Sequence, residues 1–485
     1  MSICSRRNIV FGAAAMAIGT TLPISRIAAQ RQTNPLKIPK LLEGGAGARR
    51  IYDLDIAAGI STFLPNVSTP TLGTNGAYLG PTIRARAGDR VTLRVKNNMA
   101  EPTAIHWHGL HVPARFDGGP HQVIEPGKLW GPSFDIKQKA SLCWYHSHML
   151  EQTGEQVLRG LAGLFLIDDD ESVALRLPSD YGIDDIPLII QDRRFNADGS
   201  FEYMSNMGDA EVGYQGNVIL VNGTVAPHLE LRRQRTRLRI LNGSNARIYM
   251  LGRDDAADLL IIGSDGSLLE RPVHMRRLRL GPAERIELLV DMPRERTVTL
   301  MSYPGVVNAL GDNNETFPII ELRAGRPEPP GTPVPQELIR VPYWDPARAA
   351  RVRKFTLDMS TMNIGPMPGP TMDNSMGING RSMDMDRIDE RVPLGSLEIW
   401  EIQNRTTLTH PFHIHDVQFR VLDRDGAPPQ PHEQGLKDTV LVDAGSRVRV
   451  IAEFADFADP DHPYMYHCHN LEHEDAGMMG QFVVI

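Results

Sequence analysis

Cysteine is scarce in this chain: there are three in 485 residues, and Cys4 lies at the very start. Cys143 and Cys468 alone cannot build a disulfide framework, so stability has another source. No CxxC pair occurs, and the usual spacing of a structural zinc site is absent with it. Past the N-terminus no apolar run is long enough to span a bilayer. Positive charge is not in excess either. The formal net charge is −8, which disfavours nucleic-acid binding and tolerates cationic substrates. The length suggests two to four domains, and 41% hydrophobic residues is ordinary for a soluble chain.

The N-terminus is different. Ser5-Arg6-Arg7-Asn8-Ile9-Val10-Phe11 precedes a small-residue apolar stretch to about Leu22, and Ala28-Ala29 precede Gln30. Charged start, apolar middle and small end follow the order of a twin-arginine export signal covering residues 1–29, which predicts a periplasmic protein. Cleavage there removes Arg6, Arg7 and Arg26 and no acid, taking the formal charge to −11.

Four short strings carry the chemistry: His106-Trp107-His108, His146-Ser147-His148, His413-Ile414-His415 and His467-Cys468-His469. Ten of the sixteen histidines lie in or immediately around them. One His-x-His arises easily by chance on a surface strand. Four of them, one enclosing a cysteine, point to metal ligation. On a strand, residues i and i+2 share a face, so each string offers two imidazoles to one site. Eight imidazoles are too many for one ion and enough for a cluster. Cys468 then faces the other way, as does His410, three residues before His413. Just downstream, Cys468 to Met478 adds His473 and a methionine. Two His, a thiolate and a distant thioether form the ligand set of a blue-copper electron-transfer site.

These strings, with Gly118-Gly119-Pro120, Gly160-Leu161-Ala162-Gly163-Leu164 and Gln191-Asp192-Arg193-Arg194-Phe195, resemble the signatures of the multicopper oxidases. The likeness covers nearly the whole mature chain and is strongest to bacterial copper-resistance (cuprous oxidase, laccase-like) members. It implies three cupredoxin-like Greek-key β-sandwich domains and four copper ions. His410, Cys468, His473 and axial Met478 match the type 1 ligands. His106 and His413 match the type 2 site. His108, His146 and His469 match one type 3 copper, and His148, His415 and His467 the other. Asp117 and Glu474 match the acids that relay protons to dioxygen. By residue type alone, Asp117 also suits a turn before Gly-Gly, and Glu474 an exposed acid.

The rest of the chain reads as all-β. Apolar alternation is short and frequent, as in Thr92-Leu93-Arg94-Val95-Lys96, and glycine and proline punctuate it. A weak repeat supports three units. Gly80-Pro81-Thr82, Asn222-Gly223-Thr224 and Asn379-Gly380-Arg381 each lead to an alternating strand, ending at Asn97, Asn242 and Asn404. The expected domains are 30–170, 171–335 and 336–485, with a proline-rich linker over 326–335. The middle unit lacks the histidine strings, so its expected role is structural.

Residues 359–385 are rich in methionine, and Met359, Met362, Met367, Met372 and Met376 are candidate ligands for substrate Cu(I). Methionines also fill gaps beneath flexible loops, and prolines at 366, 368 and 370 exclude a helix. Cuprous oxidases of the family place an Asp and a Met just before the His-Pro-Phe-His-Ile-His string. Here that stretch is Arg405-Thr406-Thr407-Leu408-Thr409. The expectation is a monomer using dioxygen, with Cu(I) or phenols as reducing substrate. The alternatives are a laccase acting mainly on phenols and aromatic amines, and a copper-binding protein without turnover.

Overall fold

The computed structural model describes residues 32–305, 315–326, 328–329, 333–359 and 376–485. The export-signal stretch and Met362, Met367 and Met372 lie outside the described residues.

Strand formation follows the apolar alternation. In Arg49–Ser61 the side chains of Tyr52, Leu54 and Ile56 are buried between exposed neighbours. In Arg90–Asn97, Val91, Leu93 and Val95 do the same against them. A period of two buries one face of each sheet. Six sheets result among the described residues. Two of them, built from segments between Leu41 and Asp168, enclose one core with Phe134, Tyr145 and Phe165. A seven-stranded and a six-stranded sheet enclose a second, lined by Leu238, Ile240, Leu288 and Ile320. Two five-stranded sheets between Arg351 and Val484 enclose the third, with Phe355, Trp400, Phe412 and Phe482. The architecture is all-β and cupredoxin-like, and the few helices are short.

The repeat seen in the sequence recurs in atomic detail. Asn97, Asn242 and Asn404 are fully buried, each at its strand end. Asn97 Nδ2 donates to Glu101 O and Ile124 O, and Oδ1 accepts from Met99 N–H. Asn242 bonds in the same way to Arg247 O, Leu280 O and Ser244 N–H. Asn404 does so to Leu408 O, Val442 O and Thr406 N–H. A buried amide that is fully used fixes one geometry, so the three units turn alike. Asn222-Gly223 and Asn379-Gly380 have φ values of 50°, 68°, 56° and 70°, the left-handed pair that tight hairpins require.

Packing links the units. Leu142, Trp144, Leu164 and Leu166 meet Ile189, Leu241 and Ala283 between the first and middle units. Ile248 and Leu441 meet between the middle and third. The first described strand, Asn34–Pro35, pairs with the middle unit at Pro227 and His228. Leu338, Ile339 and Val341 also pack into the middle core.

Candidate metal centre

Each histidine string straddles a strand end. His106, His146, His413 and His467 lie on the strands Ile105–His106, Ser141–Ser147, His410–Ile414 and Tyr464–Cys468. The second histidine of each string falls just past its strand, where the ladder has stopped. The expectation of two imidazoles on one continuous strand face is corrected accordingly. Pairing across strands brings the first members together, His146 opposite His106 and His413 opposite His467. Gly109, at φ +85°, turns the chain away after His108.

The first and third units supply four imidazoles each, and these interleave. His106 stacks on His415 and His108 on His413, both with ring centroids 3.7 Å apart. All eight are buried. Three groups each bring their donor atoms within 4.8 Å of one another: His106 with His108 and His413, His108 with His146 and His469, and His148 with His415 and His467.

Hydrogen bonds fix which nitrogen faces inward. His106 Nδ1 donates to Asp117 O at 2.9 Å, His146 Nδ1 to Ser147 O at 2.7 Å and His413 Nδ1 to Asp438 O at 2.8 Å. Their Nε2 atoms have no hydrogen-bond partner among the described residues, nor do His108 Nδ1 and both nitrogens of His469. Leaving six such atoms unsatisfied costs about 1–3 kcal/mol each, a sum comparable to the net stability of a whole domain. His467 Nε2 lies 3.3 Å from His148 Nε2 and 3.2 Å from His415 Nε2. Lone pairs that close repel unless a cation or proton sits between them. Burial, reinforced by the neighbouring imidazoles, pushes His108, His146, His413, His415 and His469 well below the ordinary histidine range. Neutral imidazoles are the ligating form, so the donor set fits metal ions and excludes a cluster of protonated side chains.

On the other face, His410 Nδ1 lies 3.3 Å from Cys468 Sγ and 3.2 Å from His473 Nδ1. His473 Nδ1 is 3.9 Å from the sulfur. The outer nitrogens are tied off. His410 Nε2 meets Thr406 Oγ1 at 2.7 Å, and His473 Nε2 donates to Glu211 O at 3.0 Å. Thr406 belongs to the stretch that lacks the expected Asp and Met, so that stretch orients His410. Burial pushes the Cys468 thiol far up, and a thiolate there requires a bound cation. Asn470 N–H points at the sulfur at 3.4 Å. Met478 is buried in the same core, and its carbonyl accepts from Cys468 N–H.

The two acids stand beside the cluster. Asp117 Oδ2 accepts from His415 Nδ1 at 2.7 Å, and Oδ1 has no partner among the described residues. Glu474 lies 3.1 Å from His467 Nδ1 and 3.4 Å from His148 Nδ1. Burial alone would raise Glu474; the two imidazoles outweigh it and hold the carboxyl down to about 2. Trp144 stacks on His146 at 4.1 Å and packs against His108 and His469. Trp107 and Tyr145 pack elsewhere: Trp107 stacks on Trp130, and Tyr145 donates to Pro81 O.

Family models of the multicopper oxidases match residues 55–172 and 352–485. The chain is 35% identical to Multicopper oxidase mco of Staphylococcus aureus over 93% of its length and 92% of the relative's. The chain belongs to the multicopper oxidase family. Members are oxidoreductases that use dioxygen as acceptor. This multicopper oxidase is also 35% identical to Cell division protein FtsP of Photorhabdus laumondii, over 100% of this chain and 99% of the relative. Among solved structures it is similar to the laccase-like multicopper oxidase CueO of Ochrobactrum sp.. That likeness has 36% identity and a TM-score of 0.82, over 93% of this chain and 100% of that one.

Of the candidate methionines, Met359 and Met376 lie opposite each other across the strand pair Arg351–Met359 and Met376–Ile378. Met359 is half-buried. Met376 is 3% exposed and packs in the third core, where its thioether fills volume. Sequence reasoning missed Asp438, which bonds both His108 and His413. The adjacent charges of Lys437-Asp438, ahead of the apolar strand Thr439–Val442, were the available signal.

Proposed function

We propose that this multicopper oxidase binds four copper ions and couples one-electron oxidation of Cu(I), with phenols as secondary substrates, to reduction of dioxygen to water. The observation that carries the reading is the convergence of unpartnered, buried imidazole nitrogens on one side of Cys468, with two further histidines meeting its sulfur on the other. In this reading His410, Cys468, His473 and Met478 hold the type 1 copper. His106 and His413 hold type 2, and His108, His146 and His469 with His148, His415 and His467 hold the type 3 pair.

When bound, copper supplies single-electron transfer at the thiolate set and dioxygen reduction at the histidine cluster. The chain's residues do the rest. The backbone of His467-Cys468-His469 joins the two sets covalently. Trp144 and the interleaved units keep bulk water from the imidazoles. Asp117 orients His415 through Nδ1 and keeps Oδ1 available to hold a proton, and Glu474 serves the opposite side beside His148 and His467. The N-terminal stretch supports export by the twin-arginine route to the periplasm, and a role in copper tolerance follows from a Cu(I) substrate.

The second reading is a laccase. It is favoured by the missing Asp and Met before His410, and the CueO of Ochrobactrum sp. has oxidase activity towards lignin model compounds. A role in cell division alone, of the kind the name of FtsP suggests, would leave twelve ligand-type residues without a purpose. Metal content and oxygen uptake with Cu(I) and with a phenol test the proposal. Four coppers per chain and faster uptake with Cu(I) are expected. Uptake with the phenol alone selects the laccase, and an absence of both copper and uptake overturns the oxidase reading.

A further inference from the structure

Five charged side chains form a buried network between the middle and third units: Asp265, Glu284 and Arg285 with Lys437 and Asp438, none more than 6% exposed. Lys437 Nζ reaches Asp265 at 2.8 Å and Glu284 at 3.1 Å. Arg285 forks onto Asp438, with Nη1 to Oδ1 at 2.6 Å and Nη2 to Oδ2 at 2.5 Å. Its Nε donates to Leu142 O of the first unit at 2.7 Å. One guanidinium therefore touches all three units.

Asp438 passes that constraint to the histidine cluster. Its Oδ1 accepts from His108 Nε2 at 3.0 Å, and its carbonyl accepts from His413 Nδ1 at 2.8 Å. Thr439 Oγ1 donates to the same Oδ1. With Nε2–H committed, His108 has only Nδ1 left to face the cluster, the nitrogen found without a partner. The backbone makes room for this arrangement. A Cβ on Gly109 would lie 2.7 Å from both Arg285 Nη2 and Asp438 Oδ2.

We propose that Arg285, from the unit without histidine strings, is a positioning residue for the copper cluster. By clamping Asp438 it holds His108 in the Nε2–H tautomer and keeps His413 beside it with Nε2 inward. The inference rests on the copper reading above. A bidentate guanidinium fixes both carboxylate oxygens, whereas an ammonium fixes one and leaves the carboxylate free to turn. Partners behind metal-bound histidines typically change metal affinity by about 10–100-fold. The loss should fall first on the site held by only two protein histidines, His106 and His413.

The test compares Arg285→Lys with Arg239→Lys. Arg239 is equally buried on a neighbouring strand of the same sheet and pairs with Asp185 and Glu287, away from the cluster histidines. Copper per chain, the type 2 electron paramagnetic resonance signal and the blue absorbance are measured on each holoprotein. Wild type and Arg239→Lys should hold four coppers. Arg285→Lys should hold about three, lose the type 2 signal and stay blue. Asp438→Asn, which preserves volume, should show the same selective loss, and so gives a reading even where Arg285→Lys does not fold. Four coppers with an unchanged type 2 signal in the folded variants overturns the inference, as does an equal loss in Arg239→Lys, which marks general destabilisation. A wild type without copper overturns the copper reading itself.

Discussion

At the scale of single residues, Cys468 separates the two candidate ligand sets. Its sulfur faces His410 and His473, while its neighbours His467 and His469 face the cluster. Cys468→Ser replaces a soft thiolate by a hydroxyl and should abolish the blue absorbance and remove one copper, with three retained. A blue Cys468→Ser protein contradicts this division. Asp117 and Glu474 contact histidines of the cluster. Asp117→Asn and Glu474→Gln should each lower kcat on the order of 10²-fold, because an amide cannot pass a proton. The blue spectrum and KM should barely change. Full turnover in both variants removes them from proton delivery.

At the scale of elements, the strand ends matter more than the strands. The ladders stop after His106, Ser147, Ile414 and Cys468, and the second imidazole of each string turns inward only because they stop. The methionine-rich segment is bounded in a similar way. Met359 and Met376 are cross-strand partners, so residues 360–375 can be replaced by a short Asn-Gly turn without moving either strand. If the segment recruits Cu(I), this replacement should slow cuprous oxidation roughly tenfold or more, the scale at which lost outer contacts act on metal sites. Phenol oxidation should stay level or rise, and the blue colour should remain. Steady-state oxygen uptake with both substrates measures it. Unchanged Cu(I) turnover makes the laccase the better reading.

At the scale of the molecule, the cluster is divided between the first and third units, so their alignment is part of the chemistry. His111 of the first unit bonds Asp416 of the third at 2.7 Å and Asp456 at 3.2 Å. Burial alone would lower its pKa, but the two carboxylates outweigh burial and raise it to about 9. A raised folded pKa means stability that is fully present below about pH 6.5 and lost as pH rises through about 9. His111→Gln should cost about 3 kcal/mol at about pH 6, the lower end for breaking a largely buried pair. The difference in Tm from wild type should shrink by about pH 10, where His111 is neutral in both states. A Tm difference independent of pH places the effect in packing and not in charge.

The gathering of the histidines and the all-β character were legible in the sequence because both depend on local spacing. Alternation with a period of two forms half-buried strands, and four His-x-His strings bring imidazoles in pairs. Cys468 and His410 could be assigned to the opposite face by counting odd offsets from His467, His469 and His413. The strand-ending asparagines Asn97, Asn242 and Asn404 marked the threefold repeat. Other features depend on residues far apart in the chain, and no local spacing encodes them. Asp438 meets His108 across 330 positions and Arg285 across 153. Met376 looks like its loop neighbours in sequence, yet the third core takes it in. Which nitrogen of each histidine faces the cluster is likewise set by carbonyls and carboxylates that only the packed units bring within hydrogen-bonding distance. Short-range spacing therefore determined which residues gather. Only the tertiary structure decided how they are held, because that depends on contacts among three units with separate cores.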